Sequence, residues 1–84
     1  MVELNKRLAV LVDEVLNLQG RTASFVDGTP LLGAVPELDS MGVVSLITAL
    51  EDRFGLTIDD DEIDGSVFQT WGTLLTFVQG KLVA

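Results

Sequence analysis

A chain of 84 residues with a formal charge of -8, no cysteine and no histidine has room for little beyond one small domain, and it lacks the side chains that several kinds of chemistry need. At this length only about 60 to 65% of the unfolded surface is buried on folding, so residues 1–84 are read as a single domain with one core and no large internal cleft. Without cysteine there are neither disulfides nor thiolate-bound metal, and without histidine no Ser-His-Asp or Cys-His constellation can form, so hydrolase readings fall away.

The charge is uneven. Residues 37–64 hold nine acids against Arg53 alone, so this stretch accounts for the whole net charge. Phosphate backbones are repelled by such a surface, which argues against nucleic acid and for a partner lined with Lys and Arg. Taken alone, the same acids serve solubility just as well. No apolar run approaches the roughly 20 residues that span a bilayer. Glu3, Lys6, Arg7, Asp13 and Glu14 interrupt the first eighteen residues, unlike a signal-peptide core. A cytoplasmic monomer without a membrane span is expected.

Leu4, Leu8, Leu11, Val15 and Leu18 recur at steps of four and three, which predicts a first helix over Val2–Leu18. Gly20, Gly28, Pro30, Gly33 and Pro36 then break any long element, leaving a loop from Gln19 to Leu38 that Leu31, Leu32 and Val35 can pin down. Loops of this length are uncommon in compact domains and tend to be functional. This one leads to Asp39 and Ser40. Val43, Ile47, Leu50 and Phe54, with Leu46 beside them, predict a second helix, with Asp39 as its N-cap, Ser40 in its first turn and Gly55 as its stop. The acids from Asp60 to Asp64 suit the opening of a third helix, which Gly65 and Ser66 keep short. Thr70 caps a last helix whose Trp71, Leu74, Leu75, Val78 and Leu82 face inward. Nothing reads as a strand, so the fold class is all-α, a four-helix bundle with a long first loop and a short third helix.

Few chemical motifs survive inspection. Ser40-Met41-Gly42 imitates half of a nucleophile elbow, but Leu38 occupies the first glycine position and no strand precedes it. Asp60, Glu62, Asp64 and Gly65 imitate the start of a calcium loop, yet the twelfth position is Trp71 instead of a bidentate glutamate, so the cluster reads as a solvated, capping acidic face with no metal. Ser40 by itself could be a small polar residue tolerated in a first turn. Its setting favours another reading: it follows a capping aspartate, emerges from a long anchored loop, and stands near the positive end of a helix dipole. An anion there is stabilised by about 0.3 to 1 kcal/mol.

The order of a first helix, a long loop, "LDSMGVVSLITALEDRFGLTI", a short acidic segment and "TWGTLLTFVQGKL" resembles the acyl carrier protein family over nearly the whole chain. The resemblance implies that 4'-phosphopantetheine is esterified to Ser40, flanked by Asp39 and Met41. It implies that a carrier-protein synthase (phosphopantetheinyl transferase) activates the serine, and that the missing thiol arrives with the arm. It also implies further partners, an acyl- or aminoacyl-activating ligase and a downstream acyltransferase, which meet the second helix at Met41, Val44, Ser45, Thr48 and Asp52. Where fatty-acid carriers typically show acids just after the serine and one turn on, this chain has Gly42 and Ser45. Partners should therefore rely on apolar contact near Ser40 and on Glu51, Asp52 and Asp59 to Glu62 beyond it. "LDSMG" is similar to D-alanyl carrier proteins, and "TPLLGAVPELDSM" with "ITALEDRFG" resembles small acyl carriers of exosortase-associated surface-polysaccharide clusters. A path along Leu46, Leu50, Phe54, Ile63, Leu74 and Phe77 would shelter an acyl chain, although core packing explains the same residues. Leu74 and Trp71 add bulk there, so small cargo is expected. The alternative reading is an unmodified acidic interaction module that binds a basic partner through its second helix.

Overall fold

Helix α1 (Val2–Leu16) follows from its apolar stripe, which buries Leu8, Leu11 and Val12. The computed structural model describes residues 2–83. The helix stops short of Leu18 because Asn17 takes a left-handed φ of 55° and the Leu18 N–H turns back to the Asp13 carbonyl at 3.1 Å. Asparagine is one of the few side chains that tolerate this conformation after a helix. Leu18 is still only 1% exposed, so the apolar rhythm runs on past the helix because the turn delivers Leu18 to the same core.

The long loop begins with a 3-10 turn, Arg21–Ser24, organised by Asp13, whose Oδ2 accepts from the Gly20 N–H at 2.8 Å and from the Thr22 hydroxyl at 3.1 Å. Its middle is fastened to the approach to the last helix. Leu31 and Leu32 N–H groups donate to the carbonyls of Gln69 and Phe68, both at 3.0 Å, while Trp71 and Gly72 N–H groups donate to Thr29 and Asp27 at 2.9 and 2.8 Å. Among the described residues this pairing amounts to one isolated antiparallel bridge, Pro30 to Thr70, and no strand. Leu31, Val35 and Leu38 are buried as pins, but Leu32 is 46% exposed. Extended backbone sends neighbouring side chains to opposite faces, so Leu31 and Leu32 cannot both point inward.

Helix α2 (Ser40–Phe54) ends as the glycine predicts, with Gly55 at φ 67° and the Leu56 N–H closing on the Glu51 carbonyl at 3.2 Å. The expected short third helix is a single 3-10 turn, Asp60–Glu62. Glu62 holds it: the carboxylate accepts from the Asp59 N–H at 2.8 Å and receives Lys81 Nζ at 2.8 and 2.9 Å. Helix α3 (Trp71–Val83) opens on a reciprocal cap, in which the Thr73 N–H donates to Thr70 Oγ1 at 3.2 Å and the Thr70 N–H donates to Thr73 Oγ1 at 3.0 Å. Trp71, Leu74, Leu75 and Val78 are buried, whereas Leu82, expected to face inward, is 40% exposed because the core does not extend under the last turn.

Trp71 joins the layers. Its side chain is fully buried, its indole N–H donates to Asn5 Oδ1 of α1 at 2.9 Å, and the Phe25 ring meets it edge-on at 5.5 Å between centroids. Replacing Trp71 with Phe deletes that donor and leaves the half-buried Asn5 amide oxygen without it, a loss of about 0.5 to 1.5 kcal/mol before any cavity is counted. The variant should melt several degrees lower in a thermal scan, with α-helical circular dichroism retained below the transition. An unchanged melting temperature would show that the indole hydrogen bond is not part of what joins α1 to α3.

Candidate functional site

Ser40 is exposed at the first position of a 15-residue helix. Asp39 holds it there: with extended backbone (φ -101°, ψ -168°), its Oδ1 accepts from the Gly42 N–H at 2.8 Å, while its carbonyl accepts from the Val43 N–H at 2.9 Å. A side-chain cap of this kind contributes about 0.5 to 2 kcal/mol relative to alanine. The predicted N-cap and its serine therefore stand together at the positive end of α2. Gly42 is buried, and a Cβ at this position would lie 2.5 Å from the Glu37 carbonyl oxygen and 3.2 Å from Leu16 Cδ2. Position 42 thus faces the loop and not the solvent, so its lack of charge does not bear on an outer surface.

The five positions assigned to a partner surface all open to solvent. Met41 is 75% and Val44 60% exposed, and Ser45, Thr48 and Asp52 are exposed with them. Val44 could have belonged to the core by helical spacing alone; it does not. Met41 and Val44 lie three residues apart on a helix and so form one apolar patch beside Ser40.

The acids further along divide into two groups. Glu51 is turned to local duty, its Oε2 accepting from the Ile58 N–H at 3.0 Å. Glu62 is paired with Lys81, and this hydrogen bond, aided by the Asp59 N–H, holds its carboxyl below the usual carboxylate range. Hydrogen bonds from the Ser66 hydroxyl and backbone hold the Asp64 carboxyl low in the same way. Asp52, Asp59 and Asp61 are left exposed, and the Asp60 side chain lies outside the described residues. No group of three or more potential ligands converges on a metal site among the described residues. Arg53 pairs with Glu14 at 2.8 Å, and Arg7 lies over the Phe54 ring at 4.8 Å.

Of the six residues assigned to an acyl path, Leu46, Leu50 and Leu74 are fully buried, while Phe54, Ile63 and Phe77 are partly buried against the core. Leu46 and Leu74 line one enclosed space, whereas Phe54 and Phe77 line two separate open grooves. The enclosed space beneath the loop is lined by Leu46 and Leu74 together with residues from α1 and the loop, among them Leu16, Phe25 and Leu38, and it leaves about 10 Å³ for the centre of a water-sized sphere. That is room for about one water molecule.

Sequence reasoning does not find Arg21 or Glu37 as members of this neighbourhood, and it reads Gly42 only as a missing acid on an outer face. Arg21 forms an ion pair with Glu37, and its Nε donates to the Leu18 carbonyl at 3.2 Å, so the two ends of the long loop are tied together next to Ser40. An Arg and a Glu sixteen positions apart carry no periodic signal. A glycine in the first turn of a helix, where no stop is needed, was the one available hint.

Residues 6–78 match the family described as the phosphopantetheine attachment site. Over 44 residues the chain is 36% identical to an acyl carrier protein of Beutenbergia cavernae, an alignment spanning 52% of this chain and 51% of that protein, so about half the length of this curated relative is matched. The solution structure of a holo acyl carrier protein from Nitrosomonas europaea superposes with a TM-score of 0.88 at 44% identity, covering 100% of both chains.

Proposed function

Because this chain belongs to the phosphopantetheine-binding acyl carrier protein family, we propose that its cofactor, 4'-phosphopantetheine, is carried on Ser40 and that the protein delivers a small acyl or aminoacyl group bound to that arm as a thioester. The observation that carries this reading is an exposed serine fixed by an aspartate cap at the start of α2. The residues present suit the group. The serine is open to solvent, and the end of the helix dipole that it occupies favours a phosphodiester. When bound, the arm supplies the thiol that the cysteine-free chain lacks. In the loading step the Ser40 oxygen forms the ester bond to phosphorus while the pyrophosphate bond of coenzyme A breaks. The nucleoside bisphosphate leaves, and the hydroxyl proton passes to a base of the synthase. The chain itself holds the serine in place and has no histidine to act as that base.

The partner surface on this reading is Met41, Val44, Ser45, Thr48 and Asp52. Apolar contact works near Ser40, while Asp52, Asp59 and Asp61 provide attraction over about 8 Å at physiological ionic strength. The partners are a carrier-protein synthase, an acyl- or aminoacyl-activating ligase and a downstream acyltransferase, all met in the cytoplasm. No helix among the described residues is long and apolar enough to cross a membrane. The interior supports small cargo: the enclosed space beneath the loop has about 10 Å³ for the centre of a water-sized sphere, so a chain sheltered there would have to separate packed side chains. Dedicated carriers for surface-polymer modification or D-alanylation suit this better than general fatty-acid synthesis.

Incubation with coenzyme A and a carrier-protein synthase should add the mass of one phosphopantetheine, and Ser40→Ala should abolish the gain without lowering helix content. A wild-type chain left unmodified by several active synthases would sink the carrier reading and leave the acidic interaction module. Met41→Glu and Val44→Glu should each slow loading severalfold, with Asp52→Lys slowing it at low salt only; unchanged kinetics in all three would place docking elsewhere. Acyl groups of increasing length on the holo protein should shift resonances around Ser40. Progressive shifts of Leu46, Leu50 and Leu74 with rising stability would overturn the small-cargo assignment.

A further inference from the structure

We infer that Gly42 is a positioning residue: the bare Cα lets the Glu37 carbonyl press against the first turn of α2, and this contact sets where Ser40 stands. The inference rests on Ser40 being the attachment point. Gly42 is not among the glycines with positive φ, so it is needed for space and not for conformation. Glycine is a poor helix former, and its use in the first turn of a helix calls for a compensating contact. That contact is visible. A Cβ would stand 2.5 Å from the Glu37 carbonyl, which is backbone and cannot rotate away, and 3.2 Å from Leu16 Cδ2 at the end of α1.

The Glu37 peptide is itself restrained. Its side chain is held by Arg21, which also donates to the Leu18 carbonyl at 3.2 Å, and the next residue, Leu38, is 4% exposed in the core. Glu37 and Gly42 lie on either side of Ser40 in the chain, and Asp39 between them makes the cap to the Gly42 N–H at 2.8 Å. Any side chain at position 42 must therefore move either the first turn of α2 or the restrained Glu37 peptide, and either displacement passes through Asp39 and Ser40. Loading requires the serine oxygen to be in line with a phosphorus atom held by another protein, and such reactions are sensitive to misplacement on the scale of an ångström. Gly42 acts on the reaction only through Ser40, with no contact to coenzyme A required.

The test uses the full chain with coenzyme A and a carrier-protein synthase. Gly42→Ala should remain folded and lower kcat for phosphopantetheine transfer about tenfold, while KM for the carrier stays within about twofold because Met41 and Val44 are untouched. Amide shifts should concentrate in residues 37–42. Adding Arg21→Ala to Gly42→Ala removes the side-chain restraint on Glu37 and lets its peptide yield further, so the double variant should be faster than Gly42→Ala alone, a non-additivity that a purely destabilising change would not give. Wild-type kcat in Gly42→Ala, a rise in KM at unchanged kcat, or a double variant no faster than Gly42→Ala would each overturn the inference. If Gly42→Ala does not fold, Arg21→Ala decides. A lowered kcat at constant KM, restored by Arg21→Lys, supports the restraint, and an unchanged kcat refutes it. A wild-type chain that is never modified removes the attachment reading itself, whereas a modified wild type with an equally fast Gly42→Ala removes only this inference.

Discussion

The middle of the long loop hangs on its pairing with the approach to α3. Four backbone hydrogen bonds, from Leu31 and Leu32 to Gln69 and Phe68 and from Trp71 and Gly72 to Thr29 and Asp27, satisfy polar groups that a structureless segment would leave to water. The contact is as close as it is because of Gly72, where a Cβ would lie 2.8 Å from the Asp27 carbonyl. Trp71 lies beneath it and ties the pairing to α1 through Asn5 and to the loop through Phe25. With the middle of the loop fixed in this way, its two ends are placed as well, and the far end is Asp39 and Ser40. Two glycines thus perform the same physical task, Gly72 against the middle of the loop and Gly42 against its far end: each omits a side chain so that the loop's backbone can approach a helix start.

The same architecture separates charge from chemistry along α2. The first turn carries no acid, its outer face offers Met41 and Val44, and the acids begin near the far end of the helix, where Glu51 and then Glu62 are drawn into local hydrogen bonds. Only the remaining exposed carboxylates are free to attract a basic surface. On the proposed reading, exposed charges, screened over about 8 Å at physiological ionic strength, would act on approach and the apolar patch after contact. The order of these effects suits a transient partner, guided in by charge and seated by a small apolar contact beside Ser40.

How much of this was legible depended on whether the cause was periodic. The stripes of α1, α2 and α3, the Asp39 cap and the Gly55 stop were readable because each is a local rule applied to neighbouring residues. The end of α1 was misread because Leu18 keeps the apolar rhythm after Asn17 has left the helix, and hydrophobic spacing reports burial before it reports backbone. The short third helix was over-read from its acids, whose pairing with Lys81 and Ser66 needs only a turn. Leu32 failed as a pin, since a bridge alternates faces, and a loop with no strand signal gave no warning of a bridge. Within the site, Ser40 and the exposed face of α2 followed from the helix, but the Arg21–Glu37 tie and the Glu37 contact with Gly42 are tertiary, between segments whose spacing carries no pattern.

The interior sets a further limit on what the fold can do. Large buried side chains, Trp71 and the leucines at 8, 18, 46, 50 and 74, fill the space that a ligand cavity would need. A domain of this size has little stability to spare, typically about 0.05 to 0.15 kcal/mol per residue, so opening a long hydrophobic channel would cost a substantial part of it. On the proposed reading, a carrier built this way would keep its cargo outside on the arm and leave recognition of that cargo to the partner. If Ser40 is the attachment point, as proposed, what the chain must control is the position of that serine, and the Asp39 cap, the loop end at Glu37 and Gly42 all bear on it.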